Sequence, residues 1–409
     1  MSNTPSNPFA NLTPPNGNVI GGPSQPAGGG PGVGQQSGRQ QGQQAERRTV
    51  SRFTALKFDG TGLQLFGVQA VNLLLTVVTL GIWIPWARAR KRRFFYNNTQ
   101  ILGEGIDYLA TGFDLFKGWV IISILVAGFY ALPFLGLPFV QEAISGLLFL
   151  VYPWAINKTL RFNARSLAWR DVRFNFQGGY WASFWYFFIL PIIGILSLGL
   201  LVPLASKAMR SYIARNYSFG GASFVSEAGV LSYYGAGIKT LLLFIIFAGV
   251  ILGSLYGVLI ATEPTQLMAL SAALQSGDID TILQDVGASS VMTAIPVAFF
   301  VLFFATATYY RALTRNLMVG SLRLDGGVRF RSNLSGGVLA WIMITNALLV
   351  IMTAGLLWPW AQVRKYRYMA ESTDIRPVND MNGFIDKQLK SGHSVGDALG
   401  EAGGIGVEF

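Results

Sequence analysis

The sequence predicts an all-α polytopic membrane protein built from internal pseudo-repeats, with short β-hairpins on one membrane face. Three observations carry that prediction. Hydrophobic residues fill 51% of the 409 positions and charged residues only 12%, far more apolar surface than a soluble domain buries. Apolar runs recur that reach the roughly 20 helical residues needed to cross about 30 Å of hydrocarbon. One composite motif also returns at fixed offsets from run to run. Lipid offers no partner for backbone polar groups, which selects helices, and the short alternating segments of a membrane β-barrel are missing.

Residues 1–50 are rich in Pro, Gly, Gln and Asn and offer nothing to pack, so a disordered tail is expected there. They contain no apolar stretch of the kind a cleavable signal peptide needs. A membrane domain is expected over 51–370. Its seven apolar segments lie at about 63–87, 115–132, 138–155, 181–205, 237–261, 291–310 and 337–361. Pro133, Gly136 and Pro138 make a tight turn between the second and third, which should form an antiparallel helical hairpin. The connection at 262–290 carries Glu263, Asp278, Asp280 and Asp285 and no Lys or Arg. Residues 371–409 read as a polar C-terminal tail with room for a short amphipathic helix.

The repeated motif is Pro-Trp-Ala or a variant, then a basic cluster, then an aromatic nine residues after the proline. Its copies are Pro85-Trp86-Ala87 with Arg90, Arg92, Arg93 and Phe94; Pro153-Trp154-Ala155 with Lys158, Arg161 and Phe162; Pro203-Leu204-Ala205 with Lys207, Arg210 and Tyr212; and Pro359-Trp360-Ala361 with Arg364, Lys365, Arg367 and Tyr368. A degenerate copy without the proline runs through Tyr309, Tyr310, Arg311 and Arg315. Trp prefers the headgroup level, and the Arg and Lys that follow reach phosphates or snorkel outward. Trp86, Trp154, Trp360 and the arginines at 90, 92, 93, 161, 210, 364 and 367 are therefore candidate interface and lipid-headgroup anchors. The proline is expected to close a membrane helix.

Within the runs, Asn72 and Asn346 each lie thirteen residues before their proline, and Thr79, Ser197 and Thr353 open a Thr/Ser-x-Gly six residues before theirs. Equal offsets place the two asparagines at equivalent depth. They are expected to hydrogen-bond between helices or to line a substrate path.

A stretch with hairpin patterning follows each basic cluster, as in SLAWRDVRFNFQGG and YSFGGASFVSE, with turn residues between alternating strands. SRFTALKFDGTG, before the first run, reads as a lone second half. Isolated hairpins are marginal in water, so these pieces are expected to pair into a small sheet. A conflict follows. The positive-inside rule puts the basic loops in the cytoplasm and the 262–290 connection in the periplasm, but single crossings at 63–87, 181–205 and 337–361 would send alternate basic loops to opposite faces. Either seven crossings break the charge rule, or four crossings are accompanied by three re-entrant hairpins broken near Thr/Ser-x-Gly. The shared ends of all the repeats favour the second.

The run NLLLTVVTLGIWIPWARARKRRFFYNNTQILGEGIDYLATGFDLFKG resembles the YjgN-like family of bacterial inner-membrane proteins, a domain of unknown function. The resemblance extends from about Phe58 to the end of the chain. It implies a multi-pass location in the bacterial inner membrane, and it carries no catalytic residue, substrate or cofactor.

Enzyme chemistry finds little purchase. Cysteine is absent and histidine occurs once, at His393, so thiolate catalysis, disulfides and Cys/His metal sites are excluded. Gly103-Glu104-Gly105 and Gly326-Gly327 are hairpin turns, since neither opens a helix with a P-loop lysine. The net charge of +11 sits in loops beside apolar runs, which points to anionic lipid at the cytoplasmic face rather than to nucleic acid. No enzyme, cofactor or metal is expected. Two functions remain: a transporter or channel-like protein for an unknown solute, suggested by repeats and broken helices, or a non-catalytic membrane organiser that binds lipid.

Overall fold

The computed structural model describes residues 52–131, 139–262 and 290–402, with isolated positions between 263 and 289. The predicted disordered tail, the Pro/Gly turn at 133–138 and most of the acidic connection lie outside the described residues.

The strands are short and every pairing is antiparallel. In chain order they are β1 (Thr54–Ala55, continuing as Lys57–Phe58), β2 (Thr99–Ile101), β3 (Glu104–Gly105, continuing as Asp107–Tyr108), β4 (Leu167–Trp169), β5 (Val172–Phe176), β6 (Tyr217–Phe219), β7 (Ala222–Ser226), β8 (Leu322–Leu324), β9 (Val328–Ser332) and β10 (Thr373–Arg376). Each pairs with its predecessor and its successor. Ladders of nine and of three strands result, and the two-part strands β1 and β3 join them.

The first half of β1 pairs with β10 and the second half with β2. Backbone groups of successive residues point to opposite edges of a strand, and β1 uses both: the Leu56 amide donates to Thr373 O at 2.9 Å, and the Asp59 amide to Asn98 O at 3.0 Å. β3 does the same, with Ile106 donating to Thr99 O at 3.1 Å and Leu109 to Ser166 O at 2.9 Å. The order therefore runs from β1 through β10 and back to β1, a closed ring.

This corrects the all-α expectation. The hairpin pieces make one large sheet, and closure removes the exposed edges that would leave each hairpin marginal. Two-residue turns need positive φ at both central positions, and Leu102-Gly103 (φ 53 and 87) and Arg170-Asp171 (φ 51 and 62) supply it.

Between paired strands the chain makes five helical excursions. They are α1 (Gly62–Val78) with α2 (Ile84–Asn97); α3 (Gly112–Ala131) with α4 (Val140–Arg165); α5 (Tyr180–Phe184, passing through a π-turn at Trp185–Ile189 into Leu190–Leu196) with α6 (Val202–Asn216); α7 (Val230–Thr262) with α8 (Ser290–Ser321); and α9 (Gly336–Met352) with α10 (Trp358–Glu371). Each leaves from one strand and returns to the hydrogen-bonded neighbour of that strand, so all five rise from the same rim of the ring. α3, α4, α7 and α8 are long and apolar enough to cross a membrane.

The other three excursions are broken at Thr/Ser-x-Gly. Leu80, Leu198 and Ala354 have φ of 50, 52 and 49, and the following glycines 91, 86 and 90, the left-handed geometry that ends a helix. The hydroxyl then serves both helices. Thr79 Oγ1 donates to Leu75 O at 2.7 Å and accepts the Trp83 amide at 3.0 Å. Ser197 accepts the Leu201 amide at 2.9 Å, and Thr353 the Leu357 amide at 3.2 Å. A carbonyl in the last turn of the first helix and an amide at the start of the second thus share one side chain.

Pro85, Pro203 and Pro359 come next, in the first turn of the second helix, where a missing N–H costs nothing. Proline here opens a helix instead of closing one, contrary to the sequence expectation, and Pro153 lies inside α4.

The second helix of each excursion packs against the first helix of the next, and α10 packs against α1, so the helices form a cycle above the strands. Glycines make the joints. A Cβ on Gly112 would lie 2.2 Å from Trp86 Cδ1, one on Gly62 2.2 Å from Trp360 Cδ1, and one on Gly336 2.4 Å from Tyr309 Cδ2.

At the opposite rim sits α11 (Met381–Ala402). Met381, Phe384, Ile385 and Leu389, at helical spacing, pack onto a core of Trp169, Val172, Phe219, Phe224, Leu324 and Val328 from β4 to β9. Gln388 accepts the Gly221 amide at 3.0 Å.

Candidate functional site

The repeat places its polar residues at equivalent positions, but the structure gives them different work. Asn72 and Asn346 are buried between the arms of their broken hairpins. Asn72 Oδ1 accepts from Trp83 Nε1 at 3.4 Å. Asn346 Nδ2 donates to Ala361 O at 2.9 Å, and its Oδ1 accepts from Arg364 Nη1 at 3.2 Å. Both amides brace one arm against the other.

Among the anchor arginines, three reach into the next excursion. Arg92 Nη1 donates to Asn163 Oδ1 at 2.8 Å, Arg210 Nη2 to Thr314 Oγ1 at 2.7 Å, and Arg367 Nη2 to Gly60 O at 2.9 Å. Arg315, which sequence reasoning noted only as part of a degenerate copy, does likewise, donating to Thr373 Oγ1 at 2.7 Å and to Ser332 Oγ at 2.7 Å. These guanidiniums stitch the cycle together. Burial pulls the Arg210 pKa below its ordinary value and pushes the Tyr217 phenol above its own, which marks this interior as poorly solvated. Trp86 and Trp360 lie over the joint glycines, whereas Trp154 is 49% exposed.

The remaining anchors, Arg90, Arg93 and Arg161, line two open clefts. The first, about 560 Å³, lies between the arms of the α1/α2 hairpin. Gly67, Val68 and Val71 of α1 form one wall, and Arg90, Arg93, Phe94 and Asn97 of α2 the other. The Arg90 guanidinium sits 5.2 Å over Trp83. The second cleft, about 410 Å³, opens at the base of α3 and α4 and holds Asp114, Lys158, Arg161, Arg165 and Arg173. Sequence reasoning named only Arg161 as an anchor. Positions 158, 161 and 165 share one face of a helix, a signal present in the sequence, but Arg173 reaches the cleft from β5 and only the fold brings it there. Among the described residues no group of His, Asp or Glu is arranged to hold a metal ion.

The family described as bacterial protein of unknown function (DUF898) matches residues 53–402. The chain belongs to this family. It is 26% identical over 356 residues to the inner membrane protein YjgN of Salmonella typhimurium, covering 78% of this chain and 88% of that one. It is also 26% identical over 374 residues to the inner membrane protein YjgN of Escherichia coli O157:H7, covering 81% and 90%, and 24% identical over 369 residues to that of strain K12, covering 81% and 90%. No solved structure matches. The resemblance read from the Pro-Trp-Ala-basic run is thus that of a family member, and the four long apolar helices agree with relatives that reside in the inner membrane.

Proposed function

We propose that this chain is a non-catalytic inner-membrane protein that binds anionic lipid headgroups at the cytoplasmic face. The observation that carries the proposal is the pair of clefts, each with basic side chains at the strand end of a helical excursion and exposed apolar helix surface leading away from them. Phosphate is the anion that such positions meet in a bilayer. Transport has less behind it, because Asn72 and Asn346 are engaged in bracing bonds.

In this arrangement the β-ring faces the cytoplasm, α3, α4, α7 and α8 cross, and the three broken excursions dip in and return. The charge rule favours this, since the basic clusters lie near the ring and the connection without Lys or Arg joins the far ends of α7 and α8. Length favours it too. α1 and α9 have 17 residues each, roughly 25 Å of helix, short of a crossing. Single cysteines placed in a chain that has none test the topology directly. In intact spheroplasts an impermeant thiol reagent should label position 275 and leave Leu102 and Asp325, at the ring turns, unlabelled until the membrane is opened. Labelling of the ring turns from outside overturns the arrangement.

Lipid binding predicts that raising the anionic fraction of a nanodisc from none to about one third raises the unfolding midpoint by several degrees, because a ligand of the native state stabilises it. An unchanged midpoint, together with solute flux through the same protein in liposomes, overturns the proposal in favour of transport.

A further inference from the structure

The geometry points to the cleft at the base of α3 and α4 as a headgroup site for a phospholipid carrying two negative charges, entering sideways between the two helices. This assignment rests on the lipid-binding function proposed above and names its ligand and its residues.

Charge comes first. Four cations and one carboxylate line the cleft, and the carboxylate is already engaged: Asp114 Oδ2 accepts from the Thr111 amide at 2.8 Å and from Thr111 Oγ1 at 2.7 Å, capping the start of α3. The cations are not engaged in the same way. None of the three ion pairs among the described residues involves Lys158, Arg161, Arg165 or Arg173. One singly charged phosphate would leave most of this charge unanswered. Two negative charges answer it better.

Orientation follows from the bonds that are made. Arg161 Nε donates to Phe176 O at 3.3 Å, and Arg165 Nε donates to Asn175 Oδ1 at 3.1 Å. Each guanidinium is thereby fixed through Nε against β5, and its two terminal nitrogens have no partner among the described residues. A held fork with free terminal N–H groups is the arrangement that grips phosphate oxygens. Lys158 adds a point charge, its Nζ lying 6.0 Å over the Trp154 indole.

Access is lateral. α3 packs on α2 and α4 on α5, so the two spans lean on different neighbours, and the hydrophobic stretches of α3 and α4 are only 6% and 11% buried. Ile121, Ile122, Leu147 and Leu150 are exposed along them. Acyl chains would lie on that surface with the headgroup at its base. Trp154, one turn from Lys158, sits where an interfacial indole is expected.

The test uses the full chain purified in mild detergent from cells, with retained lipid quantified by mass spectrometry, and then exchanged into nanodiscs containing zwitterionic lipid plus either phosphatidylglycerol (one charge) or cardiolipin (two). The decisive variant is Lys158→Gln with Arg173→Gln, which removes two charges and no hydrogen bond. Wild type should retain cardiolipin over phosphatidylglycerol, and the double variant should lose about thirtyfold of that retention, in line with roughly 1 kcal/mol for each of the two basic residues removed. Lys387→Gln with Lys390→Gln, two exposed charges on α11 that line neither cleft, should leave it unchanged. If wild type prefers anionic lipid but the Lys158/Arg173 variant retains as much cardiolipin, this site is wrong while lipid binding stands. If wild type prefers no anionic lipid, the function itself fails. Equal retention of the two anionic lipids, or displacement by millimolar inorganic phosphate, overturns the doubly charged lipid as ligand.

Discussion

Gly62→Val should be among the most damaging single substitutions in the chain, lowering stability by about 3 kcal/mol. Gly62 opens α1, and its missing side chain is the seat of the Trp360 indole. A Cβ there would come within 2.2 Å of Cδ1, 2.6 Å of Cγ and 2.7 Å of Nε1. No rotation of a flexible tip relieves that overlap, because the contact is with the body of the indole, and Phe66 holds the same indole from beside it at 5.4 Å between centroids. Either Trp360 leaves or α1 shifts, and α1 leads directly from the strand that closes the ring. Thermal unfolding in detergent, followed by light scattering and near-ultraviolet circular dichroism, reads the loss. Pairing Gly62→Val with Trp360→Ala should recover part of it, a coupling that a double-mutant cycle isolates. A Gly62→Val protein as stable as wild type would show that α1 and α10 do not meet in this way. The same reasoning holds for Gly112 under Trp86.

Phe384→Ala should cost about 3–5 kcal/mol, the usual range for emptying a large aromatic site. Phe384 is 9% exposed, stacks on Phe219 with 14° between planes, and covers Gly326, where an added Cβ would lie 2.5 Å from its Cε2. It belongs to a helix that packs on the strands, so the loss would report on the ring. Lys387→Ala, on the exposed face of α11, is the control and should change stability by less than about 0.5 kcal/mol. A Phe384→Ala midpoint equal to that of Lys387→Ala would mean that α11 does not pack into the ring.

The sequence carried the repeat, and the repeat carried most of the helical architecture. Fixed offsets from Thr79, Ser197 and Thr353 to their prolines mark where the backbone turns left-handed, because one hydroxyl has to serve both helices at that distance. Strand patterning located the hairpins. Closure of the ring was beyond reach: the partner of Thr54–Ala55 is a four-residue strand at Thr373–Arg376, inside what composition shows only as a polar tail, and no local pattern links segments so far apart. The arginines divide into two kinds that the sequence does not separate. A guanidinium that reaches phosphate and one that reaches Asn163 or Thr314 have the same sequence neighbourhood, and only the identity of the next repeat's residue separates them. Arg173 was hidden for the opposite reason, since it comes from a strand and has no counterpart in the helical motif.

Closing the ring with the first strand and the last has a consequence in time. During synthesis at roughly 5–20 residues per second, the stretch of about 320 residues between β1 and β10 keeps β1 waiting some 15–60 s for its partner. Each helical excursion can pair its own two strands as it emerges, but the Thr54–Ala55 half of β1 keeps its edge toward β10 open throughout. That edge is covered only once β10 has emerged, and α11, which follows β10, arrives only as the ring becomes whole.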